Sequence, residues 1–197
     1  LTPEQAMYHF LSGYTARVAG TETGVKEPQA TFSTCFGAPF IPRFPRTYAE
    51  MLGRRLREHS ARCWLVNTGW QGGQYGVGER MALPYTRAMV DAAVEGDLDK
   101  AGFEIETAFG LIIPKACPGV PAKMLDPRNA WKDKAAYDQL AAEVRDRFAK
   151  NFEKFDAPAD VKAAGPTAQV LSARTPDETA SPNPPSAAQR TLLGSRP

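Results

Sequence analysis

A glycine-rich segment, residues 68–80, carries the residues of this chain best suited to holding a ligand. It has five glycines in ten positions, from Gly69 to Gly78. Glycine at that density lets a backbone approach a ligand closely and present its amide donors. Arg80 ends the segment and Thr86 follows at a predicted helix start. A guanidinium can stack on a purine, and a threonine hydroxyl can reach a ribose or base edge. Nucleotide binding is one hypothesis. The other is a plain glycine-rich connection with Arg80 in a surface ion pair.

The same segment lacks the two common phosphate-binding patterns. Gly73 and Gly78 have the spacing of G-x-x-x-x-G-K-[ST], but Glu79 and Arg80 stand where lysine and a hydroxyl residue are required. A carboxylate repels a triphosphate, and no hydroxyl is left to hold its metal. No G-x-G-x-x-G occurs in the segment, so the dinucleotide fingerprint is absent as well. The sequence therefore predicts neither a triphosphate cradle nor a dinucleotide site here.

Histidine and cysteine give no support to a metal site. His9 and His59 are the only histidines, fifty residues apart and without a partner at ligand spacing. The three cysteines, Cys35, Cys63 and Cys117, are widely spaced and form no C-x-x-C pair. Three reduced thiols, as in cytosolic proteins, are therefore predicted. His9 is expected to pack in the core and His59 to end a helix.

Composition excludes two large classes of function. The chain has 197 residues, with 24 Lys+Arg against 22 Asp+Glu, and no long basic run. This gives no electrostatic footprint for a dedicated nucleic-acid binder. Its longest apolar runs fall far short of the roughly 20 residues needed to cross a bilayer. We therefore expect a soluble, cytoplasmic protein that engages neither nucleic acid nor membrane.

Three helices have clear signals in the first hundred residues. Thr2 and Gln5 form a capping box that opens a helix ending at Gly13, and a second box, 47–50, opens a helix to about Ser60. A third helix spans about Thr86–Glu95 and ends at Gly96. Between the first two, residues 27–45 hold four prolines, so extended chain is predicted there. Its four phenylalanines are expected to anchor this loop to the core: Phe32, Phe36, Phe40 and Phe44.

Two short apolar runs predict strands and set the fold class. Cys63–Val66 lies directly before the glycine segment and is typical of a buried strand, and Phe109–Ile113 is a second candidate. A helix, a buried strand, a glycine loop and a helix in that order indicate an α/β fold with the loop at a strand's carboxyl end. The last helix, about 133–155, has apolar residues at 3.6-residue periodicity.

The start of the chain and its last segment, residues 157–197, each lead to an expectation about domain organisation. The chain begins with Leu1 inside what looks like the body of a domain, which suggests that it starts within a longer protein. Residues 157–197 contain 7 of the 17 prolines and no aromatic residue. Such a stretch buries too little apolar surface to offset the entropy of ordering. We therefore expect folded material at 1–155 and a proline-rich flexible tail at 156–197.

Several longer blocks resemble the C-terminal part of ATP-dependent phosphoenolpyruvate carboxykinase. They are LTPEQAMYHFLSGYTARVAGTETG at 1–24, EPQATFSTCFGAPF at 27–40, WLVNTGWQG at 64–72, the 78–89 segment with Arg80, Thr86 and Arg87, PGV at 118–120 and LDPRN at 125–129. The resemblance covers about residues 1–155. It implies a mononucleotide-binding fold with a mixed sheet and flanking helices, of which this chain is the C-terminal portion.

The resemblance also implies an activity and a site. The family converts oxaloacetate and ATP to phosphoenolpyruvate, CO2 and ADP, a step of gluconeogenesis. By the resemblance, Arg80 and Met81 flank the adenine of ATP and Thr86 contacts the nucleotide. The family usually has lysine where this chain has Glu79. At an exposed position, that change is expected to weaken the attraction for the phosphates of the nucleotide by no more than about 1 kcal/mol.

The resemblance places the rest of the active site upstream of Leu1. The phosphate loop, the ligands of Mn2+ or Mg2+ and the arginines for the dicarboxylate belong to that part of the family polypeptide. No catalytic residue and no metal ligand is therefore expected in this chain, whose partner is the upstream part of the same polypeptide. Two alternatives stay open: a stand-alone nucleotide-binding module, and an inactive truncation product of the enzyme.

Overall fold

The structure is a computed structural model that describes residues 1–17 and 26–168. Helices and strands alternate along this part of the chain, which confirms the α/β class. The helices are α1 (Pro3–Ser12), α2 (Pro45–Glu58), α3 (Leu83–Glu95), α4 (Pro127–Ala130), α5 (Lys134–Phe152) and α6 (Ala159–Ala163). The strands are β1 (Tyr14–Arg17), β2 (Gln29–Phe32), β3 (Trp70–Gln71), β4 (Glu79–Arg80), β5 (Phe103–Ile105) and β6 (Ile112–Pro114). The loop expected at 19–24 lies outside the described residues.

The strands form three separate antiparallel pairs in the described residues, β1 with β2, β3 with β4 and β5 with β6. The single mixed sheet implied by the resemblance does not form there. The run Cys63–Val66 has no strand partner and is not a strand, so that prediction is wrong. Its apolar side chains line a cavity instead, which accounts for the hydrophobic pattern. The strand expected at Phe109–Ile113 is displaced towards the C-terminus and becomes β6.

Helix α1 begins and ends as its sequence predicts. The hydroxyl of Thr2 accepts the amide of Gln5 at 3.1 Å, and the side chain of Gln5 accepts the amide of Thr2 at 3.0 Å. These two bonds satisfy amides that have no partner within the helix. Gly13 ends the helix in a left-handed conformation, with φ of 58°. The β1–β2 pair follows directly.

The largest core forms where α1 packs against α2, α5 and α6. Its buried members are Met7, Tyr8, Leu11, Cys35, Ala49, Phe148, Phe152 and Val161. His9 is buried beside them, as expected, with its ring edge-on to Phe148 at 5.5 Å. The apolar periodicity of the last long helix is confirmed, because its phenylalanines enter this core. Helices from both ends of the described chain therefore share one hydrophobic centre.

Helix α2 begins three residues earlier than its sequence predicts, with Phe44 and not Thr47 at the N-cap. Pro45 occupies the first helical position and Phe44 precedes it without any side-chain cap. The fixed φ of proline suits a helix start, so the helix begins at Pro45 and Thr47 lies inside it. The capping box at 47–50 is therefore wrong. The helix ends at Glu58 with His59 as its C-cap, the place expected for that histidine.

The proline-rich stretch is extended chain and short 3₁₀ turns, at Thr34–Phe36 and Ala38–Phe40, as its prolines predict. Only one of its four phenylalanines packs against the core, and this is Phe32. Phe36, Phe40 and Phe44 are 54%, 86% and 84% exposed. The prediction that all four anchor the loop is wrong for these three.

The packed region extends past the boundary expected at residue 155. Helix α6 follows, and its Val161 is only 1% exposed within the core. Gly165 lies against the ring of Tyr8 with no room for a side chain. One valine at the right place is enough to attach this segment, although its composition is poor in apolar residues. The part of the expected tail from residue 169 onward lies outside the described residues.

Candidate functional site

The glycine-rich segment forms a β-hairpin, which holds the residues singled out by the sequence. Strands β3 and β4 are antiparallel, with Trp70 opposite Arg80 and Gln71 opposite Glu79. The amide of Met81 extends this ladder by donating to the carbonyl of Gly69 at 2.8 Å. Because both strands are short, this extra bond and the loop between them fix the register.

The loop, 72–78, closes on itself through its glycines. The amide of Gly78 donates to the carbonyl of Gln74 at 2.8 Å. A Cβ on Gly73 would lie 2.7 Å from the nitrogen of Gly78, and a Cβ on Gly78 would overlap the carbonyl of Gly73. Both positions therefore require glycine because backbone meets backbone. This contact explains the spacing that imitates a phosphate-binding loop.

Arg80 lies over the ring of Trp70. Its guanidinium carbon is 5.3 Å from the ring centre, within the range of a cation–π contact. Tyr75 packs edge-on against the same indole, with ring centres 5.6 Å apart and planes at 87°. No carboxylate of the described residues pairs with Arg80, so the expected alternative of a surface ion pair is not what holds it. The arginine remains exposed on its outer side.

Met81 is the neighbour of Arg80 but lies in the opposite environment. It is 7% exposed and its side chain forms part of the wall of a cavity of about 380 Å³. Most of the other wall residues are apolar, among them Trp64, Leu65, Val66, Met89, Leu98, Phe109, Ile113, Cys117, Met124 and Trp131. Consecutive strand residues face opposite ways. The hairpin thus presents Arg80 outward and anchors itself through Met81.

Thr86 lies in the first turn of α3, three residues after the start of that helix. Ala82 is the N-cap and offers no side-chain bond, and Pro84 follows in the first turn. The amide of Thr86 donates to the carbonyl of Ala82 at 3.2 Å, and the residue is half-buried. Arg80, Met81 and Thr86 therefore lie on one continuous strand-to-helix connection. Of these three, Met81 alone reaches the cavity wall.

Two residues missed by the sequence prediction shape the approach to the hairpin. Asn67 accepts the amide of Gly69 at 2.9 Å and donates to the carbonyl of Trp70 at 3.2 Å, closing a turn before β3. Trp70 supplies the surface on which Arg80 rests. An aromatic residue inside a glycine-rich segment was the available signal, because glycine loops seldom need one for their own folding.

The remaining ionisable residues offer little chemistry. No group of three or more His, Cys, Asp or Glu residues in the described ranges could hold a metal ion. Cys35, Cys63 and Cys117 are free, as predicted, and burial raises the pKa of each thiol. A raised pKa disfavours the nucleophilic thiolate. None of the helices at 1–17 and 26–168 has the length and apolar character to cross a bilayer.

Among the residues at 1–17 and 26–168, Glu106 is the one buried carboxylate that lines the cavity, and its role is structural. Its two oxygens accept the amides of Ala108, Phe109 and Leu111 at 2.8, 2.7 and 3.2 Å. Arg145 reaches the same turn by donating to the carbonyl of Ala108 at 2.6 Å. Three amide bonds use most of the acceptor capacity of this carboxylate and hold it in the turn.

Comparisons with known proteins agree on one family. The family model described as phosphoenolpyruvate carboxykinase, for the ATP-dependent enzymes, matches residues 1–123. Phosphoenolpyruvate carboxykinase (ATP) 2 of Moorella thermoacetica is 59% identical over 167 residues, which are 84% of this chain and 32% of that protein. Phosphoenolpyruvate carboxykinase (ATP) of Geotalea uraniireducens is 62% identical over 157 residues, 80% of this chain and 30% of its own length. The chain thus spans about a third of the curated relatives it matches.

Proposed function

The chain belongs to the ATP-dependent phosphoenolpyruvate carboxykinase family, and we propose that it supplies the adenine and ribose side of the ATP site. The reaction proposed for the whole polypeptide converts oxaloacetate and ATP to phosphoenolpyruvate, CO2 and ADP, a step of gluconeogenesis. The observation that carries the proposal is the Arg80 guanidinium, which lies over the ring of Trp70 at 5.3 Å while the arginine remains exposed.

A guanidinium in that position suits a purine base. It is planar, always charged and weakly hydrated, so it can stack on an aromatic ring while its N–H groups donate to acceptors nearby. Arg80 is already immobilised on one side by Trp70. A base that stacks on the other side therefore binds a group that has lost much of its rotamer freedom beforehand.

Met81 and Thr86 complete the proposed contacts. The buried Met81 side chain anchors the end of β4, so the backbone beside Arg80 has a fixed position against which the base edge can rest. Thr86, one turn into α3, offers a hydroxyl to the ribose. All three residues fall between positions 80 and 86, a segment that two hydrogen bonds and the cavity wall hold in place.

Phosphoryl transfer itself is assigned elsewhere in the family polypeptide. It depends on positioning and on neutralisation of charge by a divalent metal and by lysine or arginine. The loop at 72–78 is closed by its own backbone, and the described residues hold no ligand set for Mn2+ or Mg2+. The residues present do not fit the metal. We therefore derive no metal-dependent step from this chain.

The test is to join this chain to the remaining two thirds of the Geotalea relative and to measure carboxykinase turnover. The joined enzyme should convert oxaloacetate with ATP and Mn2+, whereas the chain alone should not. Arg80→Ala should raise the KM for ATP with a smaller effect on kcat. Arg54→Ala, at an exposed arginine on α2, is the matched control and should leave both unchanged. Robust turnover by the chain alone would overturn the proposal.

A stand-alone nucleotide-binding module is the second candidate. It is favoured by the fact that Trp70, Arg80, Met81 and Thr86 are all positioned by contacts within this chain. The two candidate functions predict different affinities of this chain for ATP. A module should bind ATP at micromolar concentration without any other polypeptide, whereas one side of a divided site lacks the phosphate contacts and should bind much more weakly. Calorimetry of the chain with ATP separates them.

A further inference from the structure

We propose that Trp70 is a positioning residue for nucleotide binding, acting through Arg80 and not by touching the nucleotide. The inference rests on the proposed function, because it concerns the same site. Neither the family match nor the motif that carries the resemblance assigns a role to this tryptophan. Its role follows from where the hairpin places it.

The indole of Trp70 is fixed from several directions. The backbone carbonyl of Trp70 accepts a hydrogen bond from the Asn67 side chain at 3.2 Å. The ring of Tyr75 packs edge-on against the indole, with ring centres 5.6 Å apart. Trp70 is also among the residues that line the cavity. With backbone and ring both held, the face of the indole under Arg80 is a rigid platform.

The β3–β4 register makes the contact between the two residues obligatory. Trp70 and Arg80 are direct partners across the antiparallel pair, and directly opposed side chains on one face lie within contact distance. The amide bond from Met81 to Gly69 prevents the strands from slipping by a residue. A slip would place Arg80 on the other face of the hairpin. Trp70 therefore holds the guanidinium of the exposed Arg80 over its ring before any base arrives.

The experiment measures the Kd of ATP for the 197-residue chain, by NMR titration into the millimolar range, in four forms. These are the wild type, Trp70→Leu, Arg80→Ala and the double variant. Loss of an exposed cation–π contact should raise Kd about two- to fivefold in Trp70→Leu. In the Arg80→Ala background the same substitution should change nothing further. Such dependence on Arg80 is a readout that a purely structural role for Trp70 would not produce.

A matched control is provided by Trp64, another half-buried tryptophan on the same cavity wall. Trp64 stacks on Phe103, with ring centres 6.1 Å apart, and forms no cation–π contact with an arginine of the described residues. Trp64→Leu should leave the Kd of ATP unchanged. If Trp70→Leu unfolds the chain, Trp70→Phe replaces it, because it keeps an aromatic face and should give a smaller rise in Kd that again vanishes without Arg80.

The outcomes separate the proposed function of Arg80 in nucleotide binding from the inference that Trp70 positions Arg80. If the wild type does not bind ATP, or if Arg80→Ala binds like the wild type, the proposed function fails and this inference fails with it. If Arg80→Ala weakens binding but Trp70→Leu and Trp70→Phe do not, the inference alone is overturned. It is also overturned if the tryptophan variants weaken binding equally with and without Arg80, or if Trp64→Leu has the same effect.

Discussion

The rings of Tyr8 and Phe152 stack with their centres 3.9 Å apart and their planes 10° from parallel. This contact joins α1 to the end of α5, across more than 140 residues of chain. Phe148, one turn earlier on α5, continues the contact toward Tyr14 and Phe32, each at 5.1 Å. The first helix therefore depends on the last long helix for its burial, and the β1–β2 pair depends on both.

Phe148→Ala should lower the free energy of unfolding by about 3–5 kcal/mol, since it removes a buried ring and leaves a cavity. Phe40→Ala is the matched control, because Phe40 is 86% exposed. We expect that change to stay within about 0.5 kcal/mol. Urea denaturation of the chain measures both. Equal losses for the two variants would contradict the assignment of the core.

Gly13→Ala should be strongly destabilising for two reasons that can be separated. Gly13 has a positive φ, and a Cβ there would overlap the carbonyl of Ser33. Gly76 also has a positive φ, of 84°, but has open space around it. Thermal or urea unfolding should show a loss of about 1–2 kcal/mol for Gly76→Ala, from backbone strain alone. Gly13→Ala should lose about 3 kcal/mol or more, as a collision is added. A milder effect at Gly13 would mean that the close approach of Gly13 to Ser33 is misplaced.

His9 should make stability depend on pH in the acid range. Burial lowers the pKa of His9 to about 4, and its Nε2 atom has no hydrogen-bond partner. Between this value and the ordinary pKa near 6.5, the unfolded chain binds a proton that the folded chain does not. The contribution of neutral His9 to the free energy of unfolding is therefore fully present above about pH 6.5. It declines toward pH 4, by about 3 kcal/mol at most.

The check compares urea denaturation of the wild type with that of His9→Phe across pH 4 to 7. Other groups titrate in both proteins, so the difference between the two curves isolates His9. As the pH falls from 7 to 4, the wild type should lose more stability than His9→Phe, so the difference between the two curves should change steadily over this range. Parallel curves would show that His9 takes up its proton over the same pH range in the folded and unfolded chain.

Glu79→Lys should tighten the binding of ATP more than that of adenosine. The substitution replaces a negative charge beside Arg80 with a positive one at an exposed position. Only ligands that carry phosphates respond to that charge, and the gain should be no more than about fivefold at low salt and smaller at high salt. Glu104→Lys, at an exposed position on β5, is the charge-matched control. Equal gains for ATP and adenosine would place the phosphates away from the hairpin.

Local signals in the sequence predicted the helices well and the sheets poorly. The capping box of Thr2 and Gln5 and the terminal Gly13 and Gly96 lie where they were expected, because caps depend on residues within one turn. The apolar run Cys63–Val66 was misassigned, because apolar side chains that line a cavity and apolar side chains inside a sheet leave the same sequence pattern. A strand also needs a partner, and pairing is not a local property.

For the candidate site, composition predicted the segment but not its geometry. Arg80 and Thr86 were recognisable as residue types that can bind a nucleotide, and Met81 came from the resemblance alone. The contact of Arg80 with Trp70 depends on which residues oppose one another in the hairpin, a register that a two-residue strand does not encode by itself. The glycine contact between Gly73 and Gly78 likewise becomes visible only when the loop is closed.

The most direct test of the proposed site is an NMR titration of the 197-residue chain with adenosine, AMP and ATP. If this chain contacts the base and ribose, all three ligands should shift the Trp70 indole and the Arg80 and Thr86 amides. Their Kd values should agree within about threefold, since no phosphate cradle contributes, and Arg80→Ala should abolish the shifts. Binding of ATP alone, or identical shifts in Arg80→Ala, would contradict the assignment of these residues to the adenine side of the site.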